Sequence, residues 1–387
     1  MTDAGEQRAR LVGLLRAEGA LTSDAVADAF AAVPRECFLP DVPLDEVYLD
    51  RAFVTRWLHG VPVSSSSQPA VMAVMLEQLE VRPGDHVLEI GAGTGYNAAL
   101  LARLVGPRGQ VTSVELDAAT ADGAARQLAV AGATRAAVVT ADGVLGAPAS
   151  APFDRIIATA SAREIPPAWI AQLRPGGRLV LPFRLNHCQV IVTLDRAGQD
   201  LVSVSAAGGA FMPLRSGELD SFAVVLPDGA RATADVPLDD VLLASVVEHE
   251  RDTRPVTLPV PDGERGYAAF VFVALQGAPI YAIERWAGES LVAESRVLVT
   301  SAQSALRWPL VPGGEEPEAL GSDEALDFVR AALMRWRLAG EPGVERLRMR
   351  VTPAGGAGVL SALPRPISGA YRFARGAHAY ELRFATA

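Results

Sequence analysis

The sequence predicts an α/β fold, a doubly wound parallel sheet joined to a second, β-rich α+β domain, and three observations carry that expectation. Between residues 84 and 200, continuous apolar strands alternate with helical stretches, the pattern of a parallel sheet covered by helices on both faces. The first of those strands runs into a turn with three alternate glycines, Gly91, Gly93 and Gly95, and then into a helix, which is where doubly wound sheets build ligand sites. Past about residue 218 the alternation stops and strand-like runs take over. A chain of 387 residues leaves room for two domains. We expect a first domain over 1–218, made of a helical cap (5–80) and a Rossmann-like core (84–218), and a second over 219–387.

In chain order, Leu11, Leu14, Leu15, Leu21, Val26, Phe30 and Val33 recur at roughly helical spacing, with a break near Gly19. Thr22-Ser23-Asp24 supplies a cap for the second half, and Pro34 ends it by biasing Val33 away from helix. Residues 41–68 read as irregular, closing on the polar run Ser64-Ser65-Ser66-Ser67-Gln68-Pro69. Residues 70–80 read as a helix with Val71, Met72, Met75, Leu76 and Leu79 on one face. The core then reads strand 86–90, helix 97–105, strand 110–116, helix 118–131, strands 136–140 and 155–160, a short helix 167–173, and strands 178–182 and 188–195. Beyond the boundary, 219–312 reads as β-rich, with 267–275 (YAAFVFVAL) and 295–299 as examples. Residues 321–339 form an amphipathic helix with Asp323 available as its cap, and 346–352 and 377–384 read as strands.

Composition removes several function classes. The 45 acidic residues outweigh 35 basic ones, a net charge of -10, and a diffuse acidic balance lacks the basic face that nucleic acid requires. Every basic residue is an arginine, which excludes phosphate-loop lysines and Schiff-base chemistry. Two cysteines, Cys37 and Cys188, and five scattered histidines offer no disulfide framework and no metal centre. The polar start MTDAGEQRAR lacks a signal-peptide core, and there is no run of about 18 apolar residues to span a membrane. A cytoplasmic protein without membrane or nucleic-acid partners is expected. Its oligomeric state is not legible.

The chemistry concentrates at Val87-Leu88-Glu89-Ile90-Gly91-Ala92-Gly93-Thr94-Gly95-Tyr96. Glycines let the backbone approach a ligand and take positive φ. The spacing here is E-x-G-x-G-x-G, not the G-x-G-x-x-G of dinucleotide sites, and it resembles the first motif of class I S-adenosylmethionine methyltransferases. Glu115 closes the second strand, where a carboxylate can accept from ribose hydroxyls. Asp142-Gly143 follows the third strand, where an acid can meet an adenine amino group. Glu89, Gly91, Gly93, Gly95, Glu115, Asp142 and Gly143 are therefore the candidate cofactor residues, and the resemblance implies S-adenosylmethionine as the cofactor.

Reading outward, the chain is similar to the protein-L-isoaspartate O-methyltransferases over residues 5–218. The matching segments are Val33-Pro34-Arg35-Glu36-Cys37-Phe38-Leu39-Pro40, Tyr48-Leu49-Asp50, Ser67-Gln68-Pro69, Asp142-Gly143, Ile165-Pro166, Pro175-Gly176-Gly177 and Phe211-Met212-Pro213-Leu214. The resemblance implies a peptide or protein substrate carrying aspartate or isoaspartate. It also implies a carboxyl methyl ester that closes spontaneously to a succinimide and opens to a mixture of aspartate and isoaspartate. Ser67 is the expected catalytic hydroxyl, with Ser66 beside it. Gln68 joins the cofactor residues, and Ser65, His59, Leu214 and Arg215 are expected to meet substrate.

The chain departs from the family in two places. Ser65-Ser66 replaces a usual Thr-Ile, and Trp57-Leu58-His59-Gly60-Val61-Pro62-Val63 replaces a glycine-rich lead-in. The last 170 or so residues have no counterpart in the compact repair enzyme. Lengthened members with a serine-rich loop are similar to enzymes that tailor ribosomally made, often macrocyclised peptides, and that substrate class is the expectation here. A repair methyltransferase with an accessory domain, and a binding protein that has lost catalysis, are the alternatives.

Overall fold

A computed structural model describes residues 3–58, 61–215, 222–226, 228–235, 237, 239, 253–287, 290–308, 316–354 and 361–385. The chain divides into two compact units, residues 1–182 with 191–218, and residues 183–190 with 219–387.

The first unit opens with α1 (Ala4–Ala17) and α2 (Asp24–Ala32), which Ser23 caps by accepting from the Val26 N–H. After the short α3 (Leu44–Val47) comes a hairpin, β1 (Phe53–Leu58) against β2 (Val61–Ser66), and then α4 (Pro69–Leu79), which carries proline in its first turn. Glu77 on α4 accepts from the backbone N–H groups of Thr22 and Ser23, fixing the start of α2.

The core follows as β3 (His86–Ile90), α5 (Tyr96–Val105), β4 (Gln110–Glu115), α6 (Ala118–Val130), β5 (Ala136–Thr140), β6 (Phe153–Ala158), α7 (Pro167–Gln172), β7 (Leu173–Leu185), β8 (Cys188–Ala197) and β9 (Asp200–Gly208). Strand order in this unit is β9-β8-β7-β6-β3-β4-β5. The pairs β3·β4, β4·β5, β3·β6 and β6·β7 are parallel. The order reverses between β3 and β6, so the carboxyl ends of those two strands open the crevice in which such sheets bind ligands. Leu11, Phe30, Met75, Leu100, Val111 and Ile157 belong to the apolar core that joins cap and sheet.

The second unit contains one sheet in the order β10 (Phe222–Val225), β11 (Arg231–Ala234), β13 (Ile280–Ala287), β14 (Ser290–Ser301), β15 (Ser304–Trp308), β16 (Glu318–Gly321), β12 (Thr253–Pro255), and a run of four further strands. Those four are β17 (Leu347–Pro353), β18 (Arg365–Ile367), β19 (Ala370–Arg375) and β20 (His378–Phe384), and the α-helices among the described residues of this unit are α8 (Gly263–Ala274) and α9 (Glu324–Leu338). Asp235 is buried here and accepts from Arg184 and from the His187 N–H. No helix among the described residues is long and apolar enough to cross a membrane.

Three local expectations are corrected. Residues 53–58 and 61–66 pair as the antiparallel strands β1 and β2 rather than forming irregular chain. Pro62 and the serine run hide them from a periodicity reading, because proline enters strands only where a ladder partner is dispensable, and β2 pairs only with β1. The run 267–275 is helical, lying mostly in α8. Residues Ala268 to Ala274 are all buried, and a helix enclosed on every side loses the 3.6-residue signature. Asp323 makes no capping hydrogen bond and pairs with Arg254 instead.

Candidate active site

Where β3 and β6 end, a cavity of about 570 Å³ opens, within the range of small-molecule sites. Its walls are the glycine turn after β3, the end of β4 with Glu115, Gly143, Thr159, the serine run of β2 and the segment Gly209–Arg215.

The glycine turn is shaped by close approach. Gly93 has φ +53°, and a Cβ there would stand 3.1 Å from the Ser65 carbonyl oxygen. The turn and the serine strand thus face each other at backbone distance. The Gly93 N–H donates to Glu115 Oε2 at 3.0 Å, and the Asp117 N–H to Oε1 at 3.2 Å. Burial raises the Glu115 pKa above the usual carboxylate value, against the Gly93 N–H and the charges of Arg215 and Arg56. Thr159 Oγ1 donates to the Gly91 carbonyl at 2.6 Å and closes the floor between β3 and β6.

On the opposite wall, Ser64, Ser65, Ser66 and Ser67 all line the cavity. Thr55 Oγ1 lies 3.3 Å from Ser64 Oγ. Ser66 is buried, and its Oγ has no hydrogen-bond partner. A buried hydroxyl without a partner costs about 1–3 kcal/mol. The segment carrying Leu214 and Arg215 is pinned by paired bonds, Ser161 N–H to Met212 O and Leu214 N–H to Ser161 O, both 2.8 Å. Arg215 donates to the Val63 carbonyl at 3.1 Å.

Of the residues expected from the sequence, the cavity gathers Ser65, Ser66, Ser67, Gln68, Gly91, Gly93, Glu115, Gly143, Leu214 and Arg215. Three lie outside its wall. Glu89 is wholly buried and accepts from Asn97 Nδ2 at 2.7 Å and from the Ser113 hydroxyl, so it braces the turn from the interior. Gly95 has φ +89°, and a Cβ there would meet Ala124 and Leu128 at 3.2–3.3 Å, so its small size serves the packing of α5 on α6. Asp142 accepts from the Val144 N–H at 2.9 Å, capping the turn that presents Gly143. His59 lies outside the described residues. Asn97, Thr159 and Ala160 line the cavity without having been singled out. Thr159 and Ala160 directly follow the fourth parallel strand, a position that marks them as candidates in any sheet of this order.

Sheet order, glycine turn and carboxylate together define a class I S-adenosylmethionine-dependent methyltransferase. A family model described as protein-L-isoaspartate(D-aspartate) O-methyltransferase matches residues 6–219, and the chain belongs to that family. A protein-L-isoaspartate O-methyltransferase of Methanopyrus kandleri is 39% identical over 209 residues, 54% of this chain and 90% of that protein. One of Methylorubrum extorquens is 41% identical over 216 residues, 56% of this chain and 91% of that protein. A solved structure titled protein-L-isoaspartate O-methyltransferase has 25% identity and a TM-score of 0.52, covering 89% of this chain and 96% of its own. That coverage extends beyond residue 219, so the second unit has a counterpart in a longer protein of the same title.

The chain is thus an enzyme whose methyl donor is S-adenosylmethionine. The cavity residues fit such a group: a bare Gly93 backbone and a carboxylate at Glu115 for hydroxyls.

Proposed function

We propose that this enzyme esterifies isoaspartyl carboxylates in proteins and peptides, with Glu115, Gly91, Gly93, Gly143 and Gln68 holding the methyl donor and the serine run of β2 holding the acceptor. The bound donor supplies an electrophilic sulfonium methyl. A carboxylate with pKa about 3.9 is already ionised at neutral pH, so the site needs no general base. Its work is to aim one carboxylate oxygen, and orientation of this kind supplies ~7–11 kcal/mol. Ser67 is the principal hydroxyl donor to that carboxylate, Ser66 the second, and Arg215 and Leu214 border the peptide. One or two neutral donors suit this task, because a stronger set would stabilise the ground-state anion as much as it aligned it.

The observation that carries the reading is the pair of facing walls. Ser65, Ser66 and Ser67 line the cavity, and the serine strand stands 3.1 Å from where a Gly93 side chain would begin. The two free thiols, Cys37 and Cys188, suit a reducing, cytoplasmic setting.

A second reading has a specific observation behind it. Serines at 65 and 66 and the Trp57–Val63 lead-in depart from the family pattern, and Val63, Ser65 and Ser66 line the cavity. They support an aspartyl side chain in a ribosomally made, macrocyclised peptide as substrate, with the ester proceeding to succinimide and isoaspartate. The length shared with a solved protein-L-isoaspartate O-methyltransferase favours the repair reading.

Paired synthetic peptides, identical except for aspartate or isoaspartate at one position, separate the two by mass spectrometry after incubation with S-adenosylmethionine. Addition of one methyl group to the isoaspartyl peptide alone is the expected result. Methylation of the aspartyl peptide alone would transfer the assignment to the second reading.

A further inference from the structure

The Ser67-Gln68 turn is held from behind by two charged residues that do not line the cavity. Arg35 is fully buried, and its guanidinium donates to four backbone carbonyls: Nη1 to Val47 (2.8 Å) and Leu49 (3.1 Å), Nη2 to Arg51 (3.2 Å) and Ser67 (3.1 Å). Three of those acceptors belong to the segment that carries Asp50. Asp50 in turn accepts from Gln68 Nε2 at 2.7 Å through one oxygen and from the Ala70 N–H at 2.8 Å through the other. The carbonyl of Ser67, the side chain of Gln68 and the first turn of α4 are therefore tied to one charged pair. Neither contact engages the Ser67 hydroxyl, and Ser67 lines the cavity.

A helix start needs only one acceptor for Ala70, and a serine or asparagine would supply it. The second Asp50 oxygen and the fourth Arg35 contact both go to the serine turn, which is the part of the fold where position matters most. A displacement of about 1 Å in a reacting group costs on the order of a hundredfold in rate.

We propose that Arg35 and Asp50 are positioning residues for methyl transfer, bracing the Ser67-Gln68 turn so that the Ser67 hydroxyl meets the acceptor carboxylate at a fixed place. The inference rests on the reading of Ser67 given above. Asp50→Asn is the informative variant, because Asn keeps an acceptor for the Ala70 N–H and remains a good helix cap. Its amide faces the Gln68 amide nitrogen, so Gln68 must turn its own amide over to pair with it and keeps only a neutral bond in place of a charge-assisted one; the hold on the turn is weakened while α4 is retained. Removing Arg35 would leave four carbonyls, one buried and three partly buried, without their donor at once and loses stability for that reason alone.

The test is a double-mutant cycle on kcat in the full-length enzyme, using an isoaspartyl peptide, with Ser67→Ala, Asp50→Asn and the pair. Melting temperature and affinity for S-adenosylhomocysteine are measured on each. Asp50→Asn is expected to lower kcat about tenfold or more with melting temperature and product affinity nearly unchanged, and to lower it no further in the Ser67→Ala background. An equal loss in both backgrounds, or no loss in the wild type, overturns the brace while leaving Ser67 in its role. An unchanged kcat in Ser67→Ala overturns the reading of Ser67 and the brace with it.

Discussion

Gly93 and Glu89 are two residues of the glycine turn that do different work. Gly93 sits at φ +53° against the serine strand. A β-branched side chain there meets both the left-handed penalty of ~1–2 kcal/mol and the Ser65 carbonyl. Gly93→Val is expected to weaken S-adenosylhomocysteine binding by about tenfold or more. Calorimetric titration checks this, and an unchanged dissociation constant would remove the turn from the site. Glu89 is pushed up to about 7, first by burial and then by the charge of Glu115, against hydrogen bonds from Ser113 and Asn97. An acid whose folded pKa is raised keeps its proton where the unfolded chain has lost it. Stability therefore falls as pH rises from about 4.5 to about 7 and levels off above. Glu89→Gln still accepts from Asn97 and donates to the Ser113 hydroxyl. It is expected to flatten that part of the wild-type profile of melting temperature against pH. A wild-type-like slope in the variant would mean that Glu89 does not titrate there.

At the scale of elements, the active site is a meeting of α4, the β1–β2 hairpin and the β3–α5 turn, and Arg35 is the tie among the non-repetitive pieces. Arg35→Met leaves four carbonyls, one buried and three partly buried, without their donor. With each worth ~1–3 kcal/mol when unsatisfied, and some regaining water, the loss is expected to be at least about 2 kcal/mol. Urea unfolding measures it, and a midpoint equal to wild type would show that the guanidinium is dispensable. The elements that present the cofactor residues were readable from the chain because their signals are local. Continuous apolar strands, a three-glycine turn and acids at strand ends each declare themselves within a few residues. The hairpin was not readable, since Pro62 and four consecutive serines suppress the alternation that marks a strand. Neither was α8, whose enclosure on all sides erased its periodicity. Long-range ties escaped for a different reason. Nothing near Arg35 in sequence says that its guanidinium reaches Ser67, 32 positions away. Likewise, the local sequence points Glu89 and Asp142 toward the ligand, and the fold places both outside the cavity lining.

On the scale of the whole molecule, the methyltransferase chemistry lies within the first unit. The cavity-lining residues all fall between Ala52 and Arg215, and the family match ends at residue 219. The second unit, which we propose to act in substrate recognition, is shared with a solved structure of comparable span. Its activity-bearing surfaces are not legible from motifs, because antiparallel sheets such as β13–β14–β15 carry no ligand signature of their own. The account as a whole depends on donor and acceptor meeting between the glycine turn and the serine strand. A crystal structure of the full-length enzyme with S-adenosylhomocysteine and an isoaspartyl peptide tests this most directly. The account predicts the nucleoside against Gly91, Gly93, Glu115 and Gly143, with its sulfur facing an isoaspartyl carboxylate hydrogen-bonded to Ser67. Nucleoside or carboxylate bound away from that cavity would contradict it.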